Sequence, residues 1–83
     1  MKVLYFAWLK GKTGTGAEEI SPPAEVATVG QLVAWLKQRS PGHAEAFADM
    51  KTVRCAVNQD YAQLDAPVRA GDEIAFFPPV TGG

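Results

Sequence analysis

The 83 residues suffice for one domain and leave little room for a second. A chain of this length buries only about 60–65% of the surface that its unfolded form exposes, which argues against a large enclosed active site. The formal net charge of −1 argues against a nucleic-acid binder held mainly by phosphate contacts, and it gives no attraction to an anionic membrane.

The alternation and spacing of apolar residues divide the chain into strands and helices. The clearest helix follows Thr28, which forms a capping-box pattern with Gln31 ahead of apolar residues at helical spacing. Pro22, Pro23 and Pro78 end strands, because proline has no amide to donate to a sheet. In chain order we predict strands over 2–9 and 18–21 joined by a flexible loop over 10–17, helices over 28–39 and 41–50, and strands over 53–57, 61–64 and 73–77.

This order of elements predicts an α+β fold, in which a mixed sheet of about five strands packs on one main helix and one short helix. With the first strand central and the last strand parallel beside it, the order is that of the β-grasp fold. We expect residues 1–77 to form this domain and residues 78–83 to leave it as an extended tail ending in Gly-Gly.

Side chains that could carry chemistry are few. Cys55 alternates with Val53 and Val57, which predicts a buried and unreactive core residue, whereas His43 is predicted at the surface. One cysteine and one histidine provide no ligand cluster at metal spacing, so no metal site is predicted. A single thiol, no signal peptide and no long apolar run favour a cytoplasmic protein that is not held in a membrane.

Several large apolar residues are predicted on the outward face of the sheet. If the first and last strands are neighbours, Leu4, Phe6 and Phe77 merge into one patch, which Tyr61 adjoins from the short strand. Contiguous exposed apolar surface usually marks a partner site. We therefore interpret these four residues as a docking patch.

The segment FFPPVTGG predicts a working tail. Two prolines stiffen the exit from the sheet, and six extended residues span roughly 20 Å. Glycines without side chains can enter a narrow channel and present a carboxylate to an enzyme. Such a carboxylate becomes a good electrophile once it is converted to an acyl-adenylate, and sulfur can then replace the AMP. The residues predicted to insert are Pro78, Pro79, Val80, Thr81 and Gly82, and the reacting group is the carboxylate of Gly83.

The segment DEIAFFPPVTGG, together with KVLYFAW, TVGQLVAWL and AVNQ, resembles the small, sulfur-carrying subunits of molybdopterin synthase along the whole chain. The resemblance implies a ubiquitin-like β-grasp fold and adenylation of Gly83 by an E1-like adenylyltransferase that uses ATP. A sulfur donor system then forms a thiocarboxylate, which delivers sulfur to cyclic pyranopterin monophosphate and creates the dithiolene of molybdopterin. Phe6, Tyr61 and Phe77 fall at family docking positions, where Tyr61 replaces an expected aliphatic residue.

The same resemblance implies a carrier rather than an enzyme. Catalytic side chains are expected on the large subunit of molybdopterin synthase, within a heterotetramer, and no cofactor is bound stably apart from transient AMP and sulfur at Gly83. Three alternatives remain: a sulfur carrier for thiamine, cysteine or tRNA thiolation, a ubiquitin-like interaction module or modifier, and a small enzyme that depends on Cys55.

Overall fold

The computed structural model describes residues 1–79. Within this range one sheet is flanked by three α-helices and a 3₁₀ turn. None of these helices has the length and apolar content that a membrane span requires. The strands are β1 (Lys2–Tyr5), β2 (Ala17–Glu19), β3 (Arg54–Val57), β4 (Asp60–Ala62) and β5 (Glu73–Phe77). The helices are α1 (Trp8–Thr13), α2 (Val29–Leu36) and α3 (Pro41–Ala46), and the 3₁₀ turn covers Met50–Thr52.

The strand order confirms the predicted β-grasp arrangement. The sheet has five strands in the order β2-β1-β5-β3-β4. Strand β1 is antiparallel to β2 and parallel to β5, so the first and last strands lie side by side as predicted. Strand β3 pairs antiparallel with both β5 and β4. Apart from the first strand, the strand boundaries fall within two residues of the prediction.

Helix α2 forms where it was predicted because its first turn is capped, although it ends at Leu36 rather than at residue 39. The Gln31 amide donates to the Thr28 hydroxyl at 3.2 Å, and the Gln31 side chain accepts from the Thr28 amide at 3.2 Å. These two bonds satisfy amides that the helix itself leaves without partners. One face of α2 then packs against the inner face of the sheet. The completely buried core residues are Val3, Leu9, Val29, Leu32, Leu36, Ala46, Phe47, Ile74 and Phe76.

The first strand is shorter than predicted, and the prediction of a flexible loop over 10–17 is wrong in its first part. Strand β1 ends at Tyr5, and Ala7 turns the chain with φ 56° and ψ −134°. Helix α1 follows and buries Leu9 completely. Leu9 continues the two-residue alternation of Val3, Tyr5 and Ala7. The alternation by itself therefore predicted that Leu9 belongs to the first strand. Gly14, at φ 82°, ends the helix in the left-handed conformation that glycine adopts without strain.

The predicted short helix is confirmed as α3, but it ends at Ala46 rather than near residue 50. Ser40 caps it by accepting the amide of His43 at 3.1 Å. The unpredicted helix α1 packs against α3 at close range. A Cβ atom on Gly42 would overlap the carbonyl oxygen of Lys12, so this contact requires a residue without a side chain. The contact explains why a glycine-containing segment is helical, since tertiary packing outweighs its low intrinsic propensity.

Candidate functional site

The outer face of the sheet, opposite the helices, carries a continuous row of apolar side chains. Cross-strand partners project to the same face of a sheet. Leu4 is the partner of both Ala17 and Ala75, and Ala75 is the partner of Ala56. Ala56 is in turn the partner of Tyr61 on the edge strand β4. The row therefore crosses all five strands, and its side chains are half-buried or exposed.

The large residues of the docking patch cluster at one end of this face. The Phe6 side chain is 49% exposed, and its amide donates to the Phe76 carbonyl at 3.1 Å, which holds it beside β5. The half-buried Phe77 ring makes an edge contact with Tyr61, with ring centroids 5.8 Å apart. Tyr61 is itself 80% exposed. The structure thus brings the four predicted residues onto one face, as alternation indicated.

The opposite end of the outer face is charged. Lys2 lies between its strand partners Glu19 and Glu73. Apolar character therefore increases along β5 toward Phe77, where the strand ends and Pro78 and Pro79 begin. The apolar end of the face and the start of the tail coincide.

The predicted tail is only partly described. Pro78 and Pro79 are half-buried and follow β5 directly. The remaining predicted site residues, Val80, Thr81, Gly82 and Gly83, lie outside the described residues.

Cys55 lies in the core, as the alternation predicted. Its side chain is buried on the inner face of β3, and burial raises the pKa of the thiol to about 11. The reactive form of cysteine is the thiolate, so a thiol with this pKa is a weak nucleophile near neutral pH. Cys55 makes no hydrogen bond to His43 within residues 1–79. No nucleophile–base pair is formed by these two residues.

The prediction that His43 lies at the surface is wrong, because the histidine is buried in a polar network. Its Nε2 lies 2.8 Å from a Glu18 carboxylate oxygen, and its Nδ1 lies 2.7 Å from the Ser40 hydroxyl. The Tyr5 hydroxyl donates to the same Glu18 oxygen at 2.6 Å, and Arg39 donates to the other at 3.2 Å. The network joins the edge strand β2 to the segment around α3.

The electrostatics of this network favour an ionised Glu18. Burial opposes ionisation, but hydrogen bonds from Tyr5 and His43 and the charge of Arg39 outweigh it and hold the pKa of Glu18 below its ordinary value. Burial and the neighbouring carboxylate raise the pKa of the Tyr5 hydroxyl. Glu18 is therefore an anion that accepts from every neighbour, and the buried polar side chains all have partners in residues 1–79.

The hydrogen-bonded order Ser40, His43 and Glu18 resembles that of a hydrolytic triad. In this protein the three side chains instead join β2 to the start of α3. The Ser40 hydroxyl caps α3, because it accepts a hydrogen bond from the backbone amide of His43. Sequence reasoning missed the network because its partners are 25 residues apart along the chain in the case of His43 and Glu18. The one local signal was a histidine three residues after a capping serine. Within residues 1–79, no three His, Cys, Asp or Glu side chains are placed to hold a metal ion.

Comparison with known proteins identifies relatives of the whole chain. The model of the ThiS family matches residues 3–83. A molybdopterin synthase sulfur carrier subunit from Escherichia coli is 43% identical over 83 residues, covering 100% of this chain and 99% of that protein.

Solved structures share the fold over nearly the whole chain. The crystal structure of SAMP1 from Haloferax volcanii is 31% identical with a TM-score of 0.79, covering 100% of this chain and 98% of that chain. A complex of subunits 1 and 2 of the molybdopterin-converting factor from Helicobacter pylori contains a chain with 26% identity and a TM-score of 0.65. That match covers 99% of this chain and 96% of that one.

Proposed function

The chain belongs to the ThiS family, and from that premise we propose that it is the sulfur-carrying small subunit of molybdopterin synthase. The observation that carries the proposal is the 43% identity, over essentially full length, to a protein of that name. The family match extends to residue 83, so the Gly-Gly pair lies inside the matched region. An apolar docking patch beside the start of the tail supports a protein that works by presenting its end to partners.

In the proposed chemistry, the carboxylate of Gly83 is the only group of this chain that reacts. A carboxylate oxygen attacks the α-phosphorus of ATP and pyrophosphate leaves, which gives an acyl-adenylate on the E1-like enzyme. Hydrosulfide from the donor system then attacks the acyl carbon, AMP leaves with the electrons of the broken C–O bond, and a thiocarboxylate remains. If the donor is a persulfide, the product is an acyl disulfide, and a thiol must then reduce its S–S bond to give the thiocarboxylate. The thiocarboxylate delivers its sulfur to cyclic pyranopterin monophosphate, and two such transfers build the dithiolene.

The side chains of residues 1–79 support a carrier that binds its partner proteins, while those partners catalyse the sulfur transfer. The buried Cys55 thiol and the fully bonded His43 offer no free nucleophile or base. We therefore propose that catalytic side chains belong to the large subunit. The Helicobacter pylori complex of subunits 1 and 2 supports such a partner, and we propose a heterotetramer that works in the cytoplasm.

The proposal is tested by the intact mass of the chain after incubation with a matching E1-like enzyme, ATP and a sulfur donor. Replacing one carboxylate oxygen by sulfur adds about 16 Da, whereas a persulfide on Cys55 would add about 32 Da. A Cys55→Ser variant should gain the same mass as the wild type, and a chain lacking Gly83 should gain nothing. No mass change, under conditions that sulfurate a known carrier, would contradict the proposal.

The substrate is tested separately, because carriers for thiamine, cysteine or tRNA thiolation would also gain sulfur. The sulfurated chain, mixed with the large subunit and cyclic pyranopterin monophosphate, should produce molybdopterin. A chain that gains sulfur but yields no molybdopterin with an active large subunit would belong to one of the other pathways.

A second candidate function is protein modification. The observation in its favour is the 31% identity to SAMP1 from Haloferax volcanii, since a second crystal structure of this fold is named small archaeal modifier protein 1 from the same organism. In this role the activated Gly83 would form an isopeptide bond with a lysine of a target protein. Higher-mass conjugates that require both ATP and Gly83 would favour this function. A cell extract that forms none, while the chain is sulfurated normally, would contradict it.

A further inference from the structure

A groove of about 470 Å³ opens where β4 separates from β3. The last pair between these strands, toward this end, is Cys55 with Ala62. Beyond it the chain turns away, because the Leu64 carbonyl accepts the amide of Gly30 at 2.8 Å and is held against α2. The gap that remains is bordered by Met50, Val53, Arg54, Tyr61, Gln63 and Leu64.

Arg54 is the one charged side chain among the described residues that line this groove. Its Nη1 donates to the carbonyl oxygens of Lys51 and Val53, at 3.2 and 3.1 Å, so the guanidinium is held in place before any partner arrives. Arginine has five N–H donors in a fixed fork, and within residues 1–79 those on Nε and Nη2 make no hydrogen bond. No carboxylate of residues 1–79 forms an ion pair with Arg54.

The groove is continuous with the docking patch and lies at the tail end of the sheet. Arg54 is the strand partner of Phe77, the last residue before the tail. Tyr61 lines the groove and also contacts the Phe77 ring. A partner that is seated on Tyr61 and Phe77 therefore reaches the border of the groove.

We propose that the groove receives an apolar segment of the large subunit that carries an acidic side chain, and that this carboxylate pairs with Arg54. The inference rests on the proposed function, because it names a contact with the partner that receives the tail. The groove has a mixed lining, in which the apolar side chains of Met50, Tyr61 and Leu64 lie beside Arg54 and Gln63. A partner seated against these apolar side chains excludes water from Arg54, and an ion pair is stronger where water is excluded. A guanidinium also matches a carboxylate in a bidentate geometry. Arg54 thus adds charge selectivity beside the apolar docking patch.

The test compares a charge reversal at Arg54, in the groove, with a charge reversal at Lys37, on the opposite side of the sheet. Affinity for the purified large subunit is measured by titration calorimetry for Arg54→Glu, Arg54→Ala and Lys37→Glu. Lys37 is exposed at the end of α2, on the helix side, and its reversal changes the net charge by the same amount. We expect Kd to rise about 30-fold or more for Arg54→Glu and about fivefold for Arg54→Ala, and less than about twofold for Lys37→Glu.

A rescue experiment identifies the partner's carboxylate. Acidic residues of the large subunit are changed to lysine one at a time, and one of these changes should restore much of the affinity lost in Arg54→Glu. The unfolding midpoint of each variant should stay near the wild-type value, because Arg54 and Lys37 are both exposed.

Four results would overturn the inference. Equal losses for Arg54→Glu and Lys37→Glu would indicate a general charge effect, and unchanged binding of Arg54→Glu would leave the groove outside the interface. Self-association of the wild type that Arg54→Glu abolishes would assign the groove to a second copy of the chain. If the wild type did not bind the large subunit at all, the proposed synthase role would fail with it, whereas normal binding and sulfur transfer by Arg54→Glu would overturn this inference alone.

Discussion

Replacing Phe77 by alanine should weaken docking more than folding, whereas the same replacement at Phe76 should do the reverse. These two phenylalanines are neighbours on β5 and project to opposite faces of the sheet. Phe76 is completely buried among core residues, and Phe77 is half-buried on the outer face. They provide a matched pair of identical side chains in opposite environments.

The structure sets the expected size of each effect. The Phe76 ring lies 4.8 Å from that of Phe47 and 6.3 Å from that of Tyr5, measured between centroids. Truncating such a buried phenylalanine costs about 3–5 kcal/mol of unfolding free energy. Phe77 has one aromatic contact, with the exposed Tyr61, and a pair of this kind contributes about 0.5–1.5 kcal/mol. The half-burial of the ring contributes about 1 kcal/mol more, so we expect Phe77→Ala to lose about 1–2 kcal/mol of stability.

Phe77→Ala should weaken binding of the large subunit more than Phe76→Ala does. Aromatic anchors at the centre of an interface cost about 2 kcal/mol or more when truncated, which corresponds to a Kd about 30-fold higher. Denaturant unfolding followed by tryptophan fluorescence gives the stability, and calorimetric titration of the large subunit gives Kd. Titration is done at a temperature where both variants are folded, since each kcal/mol lowers the melting temperature of a domain this size by about 4–8 °C.

Two results would refute the reasoning. A stability loss of about 3 kcal/mol or more for Phe77→Ala would place its ring in the core rather than at an interface. An unchanged Kd for a folded Phe77→Ala variant would remove Phe77 from the docking patch.

Two further predictions concern the buried polar groups. Because the pKa of Glu18 is held below its ordinary value of 4.5, its ionised form stabilises the fold above that pH, and this stability is lost as the pH falls through the lower, folded value. Glu18→Gln should therefore flatten the acid side of the stability curve measured from about pH 7 to about pH 2, and parallel curves for variant and wild type would contradict this assignment. Cys55→Ala should leave sulfur transfer at the wild-type rate. The wild-type thiol should react with a maleimide only slowly until the protein is unfolded, because it is buried with a pKa of about 11. A folded Cys55→Ala chain without sulfur transfer would instead revive an enzyme that depends on this thiol.

The docking patch could be predicted because it depends on local periodicity. Successive side chains of a strand project to opposite faces, so Leu4 and Phe6 were assigned to one face as soon as Val3 and Tyr5 were assigned to the other. The relation of Phe77 to this face needed one further step, the parallel pairing of the first and last strands, which the β-grasp order supplied. The groove beside Arg54 could not be predicted in this way, because it depends on where β4 leaves the sheet.

Helix α1 illustrates a limit of local patterns. The segment WLKGKT contains a glycine and follows an alternating strand, so both propensity and period argued against a helix. Two tertiary features stabilise the helix: the burial of Leu9 in the core and the close approach of Gly42 to Lys12. Both features depend on residues that lie in other elements of the fold.

The sequence by itself determined the β-grasp order, the capped helix α2, the inward position of Cys55 and the apolar outer face, because each follows from spacing or capping over a few neighbouring residues. Only the tertiary structure decided the buried state of His43, since a polar side chain enters a core when distant partners satisfy it, and its partner Glu18 lies on another element. The same holds for Arg54, whose charge was visible in the sequence. Its place in a groove beside the start of the tail depends on three strands meeting at one end of the sheet.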